Sequence, residues 1–162
     1  MKTLFLVRHA KSSRGPPGLP DEDRPLAGRG ERDAPQMGRR LAKRDVEPDL
    51  ILSSPASRAL ATAKLFAAKL HYKPKRIVVD RRLYPGRLEE LLTMIEELDD
   101  ELESVMLFGH NPALLRLAHR LSLTVARLPT SAVAELVFDT RSWRELRKAP
   151  LRRMALDYPR KS

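Results

Sequence analysis

Four side chains in this sequence are of types that handle phosphate. Arg8 and His9 follow the apolar run 4–7, Arg58 lies just beyond Ser53-Ser54-Pro55, and His110 sits in Phe108-Gly109-His110-Asn111-Pro112. Arginine carries a permanent charge on a forked donor that matches phosphoryl oxygens, and histidine serves as nucleophile, proton carrier or ligand. Each of them has a plainer reading. An Arg-His pair after a strand is commonly structural, His110 can satisfy its hydrogen bonds within a loop, and Arg58 can be a solvated helix residue. Their occurrence at three equivalent places, each directly after a predicted strand, points to one site for a dianion. A metal is the rival use of two histidines. Zinc sites want three or four N, S or O ligands, and two arginines beside the pair repel a cation, so no metal is expected. His71 and His119 lack such neighbours and read as surface or helix-packing residues.

The elements that must position these residues follow from hydrophobic periodicity. Short runs rich in Leu, Ile and Val predict strands at 3–7, 49–53, 76–79, 105–109 and 133–138, most of them continuously apolar, as strands buried on both faces are. Helical spacing of apolar residues predicts helices over 31–44, 57–70, 88–98 and 113–121. The alternation is that of an α/β fold, whose ligands bind beyond the carboxyl ends of the strands. Pro35 either kinks the first helix or lies near its start. Ser54-Pro55 and Asn111-Pro112 each put a capping residue before a proline suited to the first helical position. Helices beginning there would aim free N–H groups at the anion. The Pro- and Gly-rich stretch 11–30 reads as a long loop, a feature often functional in compact domains.

Length and composition bound the rest. With 162 residues, 42% of them hydrophobic, the whole of 1–162 is expected to form one domain. The chain has no cysteine, no signal-peptide pattern and no apolar stretch of membrane-spanning length, so a soluble, cytoplasmic protein with no membrane partner is expected. The formal charge is +10, of which the segment 141–162 carries eight basic residues against two acids. This basic C-terminal segment reads mostly as surface. Aromatics make up only 5% of the chain, too few for the stacking platforms of a nucleic-acid binder, and no specific nucleic-acid partner is expected.

Five ordered motifs then carry a resemblance that runs from residue 3 to about residue 139. They are Leu6-Val7-Arg8-His9-Ala10-Lys11-Ser12, Asp23-Arg24-Pro25-Leu26 with Arg29-Gly30, Ser53-Ser54-Pro55 with Arg58, Gly109-His110-Asn111-Pro112, and Pro129-Thr130-Ser131-Ala132. Together they resemble the histidine phosphatase superfamily and, within it, the compact SixA-type phosphohistidine phosphatases. The resemblance implies a phosphoglycerate-mutase-like, three-layer α/β/α sandwich around a mostly parallel sheet. It implies His9 as nucleophile, Arg8, Arg58 and His110 as catalytic phosphate ligands, and no cofactor. Neighbouring arginines disfavour a charged imidazole, which keeps the nucleophile's lone pair available.

Two positions depart from the superfamily pattern. Ala10 stands where glycine is usual, and being small it should still permit close backbone packing. Many members take a general acid from a later loop. The segment 84–90 offers Glu89 and Glu90 as candidates, although both also suit the first turn of a helix, where acids complement the dipole. A phosphohistidine substrate lessens the need for such an acid, because imidazole leaves more readily than an alkoxide. Three functions are therefore expected in order. The first is a phosphatase for phosphohistidine in a protein such as a phosphorelay component. The second is a broader phosphomonoesterase for small phosphorylated substrates. The third, of another class, is a non-catalytic anion- or nucleic-acid-binding module.

Overall fold

In the computed structural model, which describes residues 1–160, the apolar runs and amphipathic segments form a six-stranded sheet between two pairs of helices. The chain order is β1 (Lys2–Arg8), α1 (Gly28–Lys43), β2 (Leu50–Ser53), α2 (Ser57–Lys69), β3 (Val78–Val79), α3 (Leu88–Glu96), β4 (Ser104–Gly109), α4 (Ala113–Leu121), β5 (Val133–Phe138) and β6 (Leu151–Asp157). The strands lie in the order β3-β2-β4-β1-β5-β6. All pairings are parallel from β3 through β1, and β5 runs antiparallel to both β1 and β6.

Strand alternation divides the core in two. On β1, Leu4 and Leu6 face a cluster with Leu91, Leu92 and Ile95 of α3 and Leu114 and Leu117 of α4. Phe5 and Val7 face the opposite cluster, with Met37 and Leu41 of α1 and Phe66 and Ala67 of α2. Successive side chains of a strand point to opposite faces, so an unbroken apolar run requires a helical layer on both sides. The result is the three-layer α/β/α arrangement, mostly parallel and phosphoglycerate-mutase-like. Among the described residues no helix is long and apolar enough to cross a membrane.

Four predicted strands and four predicted helices are present with small changes of boundary. β3 is shorter than expected because Pro74–Arg76 closes a 3-10 turn, and as an edge strand it leaves Val78 and Val79 exposed. α1 begins earlier, at Gly28, and runs through Pro35. The amide that proline lacks would have paired with the carbonyl of Glu31, an exposed residue near the start of the helix. The loop over 11–30 is folded rather than open, with a 3-10 turn at Asp21–Asp23 and a bridge between Ser12 and Leu26.

The main correction concerns the basic C-terminal segment. Its basic side chains lie mostly at the surface, as expected, but its backbone supplies a strand that was not expected, β6, paired with β5 from Val133 opposite Asp157 to Phe138 opposite Leu151 with a bulge between Val137 and Phe138. Ahead of β6, Trp143 is fully buried and donates from Nε1 to the Leu102 carbonyl at 2.7 Å. Several of the segment's charges are paired at the surface with residues of other elements, Arg147 with Glu89 and Glu96, Arg152 with Asp139, and Arg153 with Glu135. Arg152 and Arg153 interrupt the apolar pattern, which hides the strand in the sequence. Lys161 and Ser162 lie outside the described residues.

Candidate active site

Parallel pairing brings like ends of β2, β4 and β1 side by side. In the register, Arg8 stands opposite Gly109, and Ser53 opposite Phe108. The ladder continues one residue further, with His9 N–H donating to the Gly109 carbonyl at 3.0 Å and Ser54 N–H to that of Phe108 at 2.9 Å. The residues that leave the sheet next, Ser54, His110 and His9, therefore emerge together. The two imidazole rings lie 5.2 Å apart between centroids, and the Tyr84 ring lies at the same distance from that of His110.

His9 has a defined orientation. Its Nδ1 is 2.7 Å from the carbonyl of Ala10, which only accepts, so Nδ1 carries the proton and Nε2 keeps its lone pair. Ala10 is fully buried, and its own N–H donates to Thr62 Oγ1 at 2.9 Å. That hydroxyl in turn donates to the Arg58 carbonyl, so the first turn of α2 is tied to the backbone beside His9. Burial lowers the His9 pKa to about 4, with the charges of Arg58, Arg8 and Arg24 acting in the same direction. His110 is pushed down to about 3, first by burial and then by His9 and Arg58. Both rings are thus neutral at pH 7.

Three guanidinium groups surround the rings. Arg58, 7% exposed, donates from Nη1 to the Asp21 carbonyl at 2.7 Å and from Nη2 to Asp21 Oδ2 at 2.9 Å. Arg24 reaches Ser12 Oγ, the Ser13 carbonyl and Asp21 Oδ1. Arg8 donates from Nη1 to the Leu128 carbonyl, while its Nε is buried with no partner among the described residues. His110 Nδ1 is likewise buried and unpartnered. Buried polar atoms of this kind cost free energy unless something pairs with them, and cations among neutral imidazoles suit an oxyanion rather than a metal.

The carboxylate of the site comes from a residue that the sequence reading passed over. Asp21 accepts from Tyr84 Oη at 2.6 Å as well as from Arg58 and Arg24, and these bonds hold its carboxyl well below the usual carboxylate range. Reciprocally, Asp21 raises the Tyr84 pKa. Nothing in the sequence distinguishes Asp21 from Glu22 and Asp23, and only the turn at Asp21–Asp23 brings it against Arg58.

Of the residues proposed from sequence, Arg8, His9, Arg58 and His110 converge, and Glu89 and Glu90 do not join them. Glu89 is 74% exposed and bound to Arg147 at 2.9 Å, and Glu90 faces Arg87 at 3.9 Å. Both occupy the first turn of α3, the alternative that the helix dipole favours. The two expected caps also differ. Ser54 accepts from Ala56 N–H ahead of α2, and Asn111 donates from Nδ2 to the Leu128 carbonyl, so that neither caps its helix. In both cases a partner across the strand ends captures the side chain.

Comparison with known proteins agrees with this geometry. A sequence profile of the family described as Histidine phosphatase superfamily (branch 1) matches residues 4–104. An uncharacterised chloroplast protein of Arabidopsis thaliana is 31% identical over 153 residues, which span 89% of this chain and 70% of that one. Among solved structures, a protein of Agrobacterium tumefaciens proposed to be the phosphohistidine phosphatase SixA is 30% identical and superposes with a TM-score of 0.79, covering 95% of this chain and 97% of the other. The protein histidine phosphatase SixA complexed with tungstate superposes at 0.80 with 24% identity, over 94% and 95% of the two chains. The chain belongs to the histidine phosphatase superfamily and is of the SixA type.

Proposed function

We propose that this protein is a phosphatase that removes the phosphoryl group from phosphohistidine in a partner protein, through a covalent phosphoryl-His9 intermediate. The observation that carries the reading is the orientation of His9. Its Nδ1–H is committed to the Ala10 carbonyl, and the remaining lone pair on Nε2 belongs to an imidazole held neutral among Arg8, Arg24 and Arg58. A neutral, oriented imidazole beside fixed cations is what in-line attack on phosphorus needs.

In the first step Nε2 forms a bond to phosphorus as the bond from phosphorus to the substrate's imidazole nitrogen breaks. The departing nitrogen keeps the electron pair and takes a proton from solvent. Arg8, Arg58 and His110 hold the three equatorial oxygens, and the orphaned donors Arg8 Nε and His110 Nδ1 supply two of those contacts. Water then attacks phospho-His9, restoring the free imidazole and releasing phosphate.

The proton inventory supports a nitrogen leaving group over an alkoxide. Asp21 is held ionised by Tyr84, Arg58 and Arg24, Tyr84 is held protonated by Asp21, and Glu89 is engaged by Arg147. None of these supplies the readily released proton that an alkoxide requires on departure.

The test compares a phosphohistidine protein with a chromogenic phosphate ester, using wild type and His9→Ala. Higher kcat/KM on the phosphohistidine protein, acid-labile phosphate trapped on wild type, and loss of both in the variant are expected. Unchanged turnover in His9→Ala would falsify the nucleophile assignment, and preference for the ester would favour the broader phosphomonoesterase. Phosphate binding without hydrolysis of either substrate would leave only an anion-binding module.

A further inference from the structure

Ser54 has no assigned part in this chemistry, yet it is fully buried and makes the one side-chain hydrogen bond to His110 among the described residues. Its backbone N–H is fixed to β4 through the Phe108 carbonyl. Its Oγ lies 3.1 Å from Ala56 N and 2.8 Å from His110 Nε2. The Ala56 N–H can only donate, so one lone pair of Oγ is occupied by that bond. The hydroxyl must place its own proton elsewhere, and among the described residues the acceptor within reach is His110 Nε2. A neutral imidazole that accepts at Nε2 carries its proton on Nδ1, and Nδ1 is the buried atom without a partner.

We propose that Ser54 is a positioning residue that sets the tautomer of His110, so that its free nitrogen meets a phosphoryl oxygen as an N–H donor and not as a repelling lone pair. The proposal rests on reading the pocket as a phosphoryl site. The free neutral side chain of histidine favours the opposite tautomer, with the proton on Nε2, so the protein must impose this one. Because His110 stays uncharged at pH 7, it has a single ring proton, and where that proton resides decides between attraction and repulsion. Ser54 acts through His110 and need not touch the substrate.

The experiment reads the tautomer directly, from long-range proton–nitrogen correlations of the imidazole rings in nitrogen-15-labelled protein at pH 7, with His110→Gln assigning the resonances. Wild type is expected to show His110 protonated at Nδ1. Ser54→Ala is expected to move the proton wholly or partly to Nε2 and to lower kcat/KM by about tenfold, the scale of one hydrogen bond. Ser54→Thr, which keeps the hydroxyl, is expected to restore both. A wild-type spectrum with the proton on Nε2 overturns the proposal without any variant having to fold. So does Ser54→Ala with an unchanged tautomer, and a changed tautomer with unchanged kcat/KM overturns its role in the reaction. His9→Ala is expected to abolish turnover and leave the His110 tautomer as in wild type, so the phosphoryl-transfer reading and the Ser54 proposal stand or fall separately.

Discussion

Acidification probes the charge arrangement of this site through folding stability. His9 and His110 titrate near 4 and near 3 in the folded protein, against 6.5 for an ordinary imidazole. Between those values the unfolded chain binds more protons than the folded one, so stability is fully present above pH 6.5 and is lost as the pH falls toward the folded values. At pH 7 the two rings cost only a few tenths of a kcal/mol, whereas at pH 5 each costs about 2 kcal/mol and the pair about 4 kcal/mol. That is a large part of the roughly 5–15 kcal/mol that holds a domain together. The carboxylate of the site does not blur the effect, since its hydrogen bonds keep Asp21 ionised to far lower pH. The assay is urea unfolding at pH 7, 6 and 5 on wild type and on a variant carrying His9→Gln and His110→Gln. Wild type should lose about 3 to 4 kcal/mol across that range. The double variant should lose only a small fraction of this, because its remaining histidines, His71 and His119, are exposed. Parallel losses in the two proteins would show that the rings are not held neutral by burial and by their cationic neighbours, and would remove the basis for an uncharged nucleophile.

Two other perturbations have defined outcomes. Asp21→Asn removes the carboxylate that engages Arg58, Arg24 and Tyr84, so inorganic phosphate should bind more tightly by calorimetry, and the Tyr84 phenol should titrate closer to its ordinary value of 10 by ultraviolet difference titration. Gly30→Ala would place a Cβ 2.2 Å from the Lys11 carbonyl oxygen, where α1 crosses the chain just beyond His9. The displaced backbone should cost about 2 kcal/mol or more in urea unfolding and should lower kcat, since Lys11 is two residues from the nucleophile.

Much of the fold and part of the site were legible from local pattern. Apolar runs at β1, β2 and β4 required helices on both faces, and the recurrence of Arg or His in the segments that follow these three strands placed Arg8, His9, Arg58 and His110 on one crevice. Both inferences rest on periodicities that a single chain segment displays by itself. What escaped depends on contacts between segments distant in sequence. β6 exists because β5 offers it a ladder and because Glu135 and Asp139 absorb the arginines that break its pattern. Asp21 rather than Glu89 or Glu90 became the carboxylate of the site because a 3-10 turn carries it to Arg58, a residue 37 positions away, while Arg147 draws Glu89 outward. Ser54 and Asn111 carry the types and the following prolines of helix caps, yet His110 and the Leu128 carbonyl capture their side chains instead.

The sequence by itself therefore determined which residues could do chemistry and which strand ends would present them, because residue type and hydrophobic period are local properties. The protonation and tautomer of those residues, and the choice of the one carboxylate among them, were decided only by tertiary structure. Those properties depend on burial and on hydrogen-bond partners supplied from across the fold, such as the Ala10 carbonyl at the end of β1, the Ser54 hydroxyl after β2 and the guanidinium of Arg58 on α2.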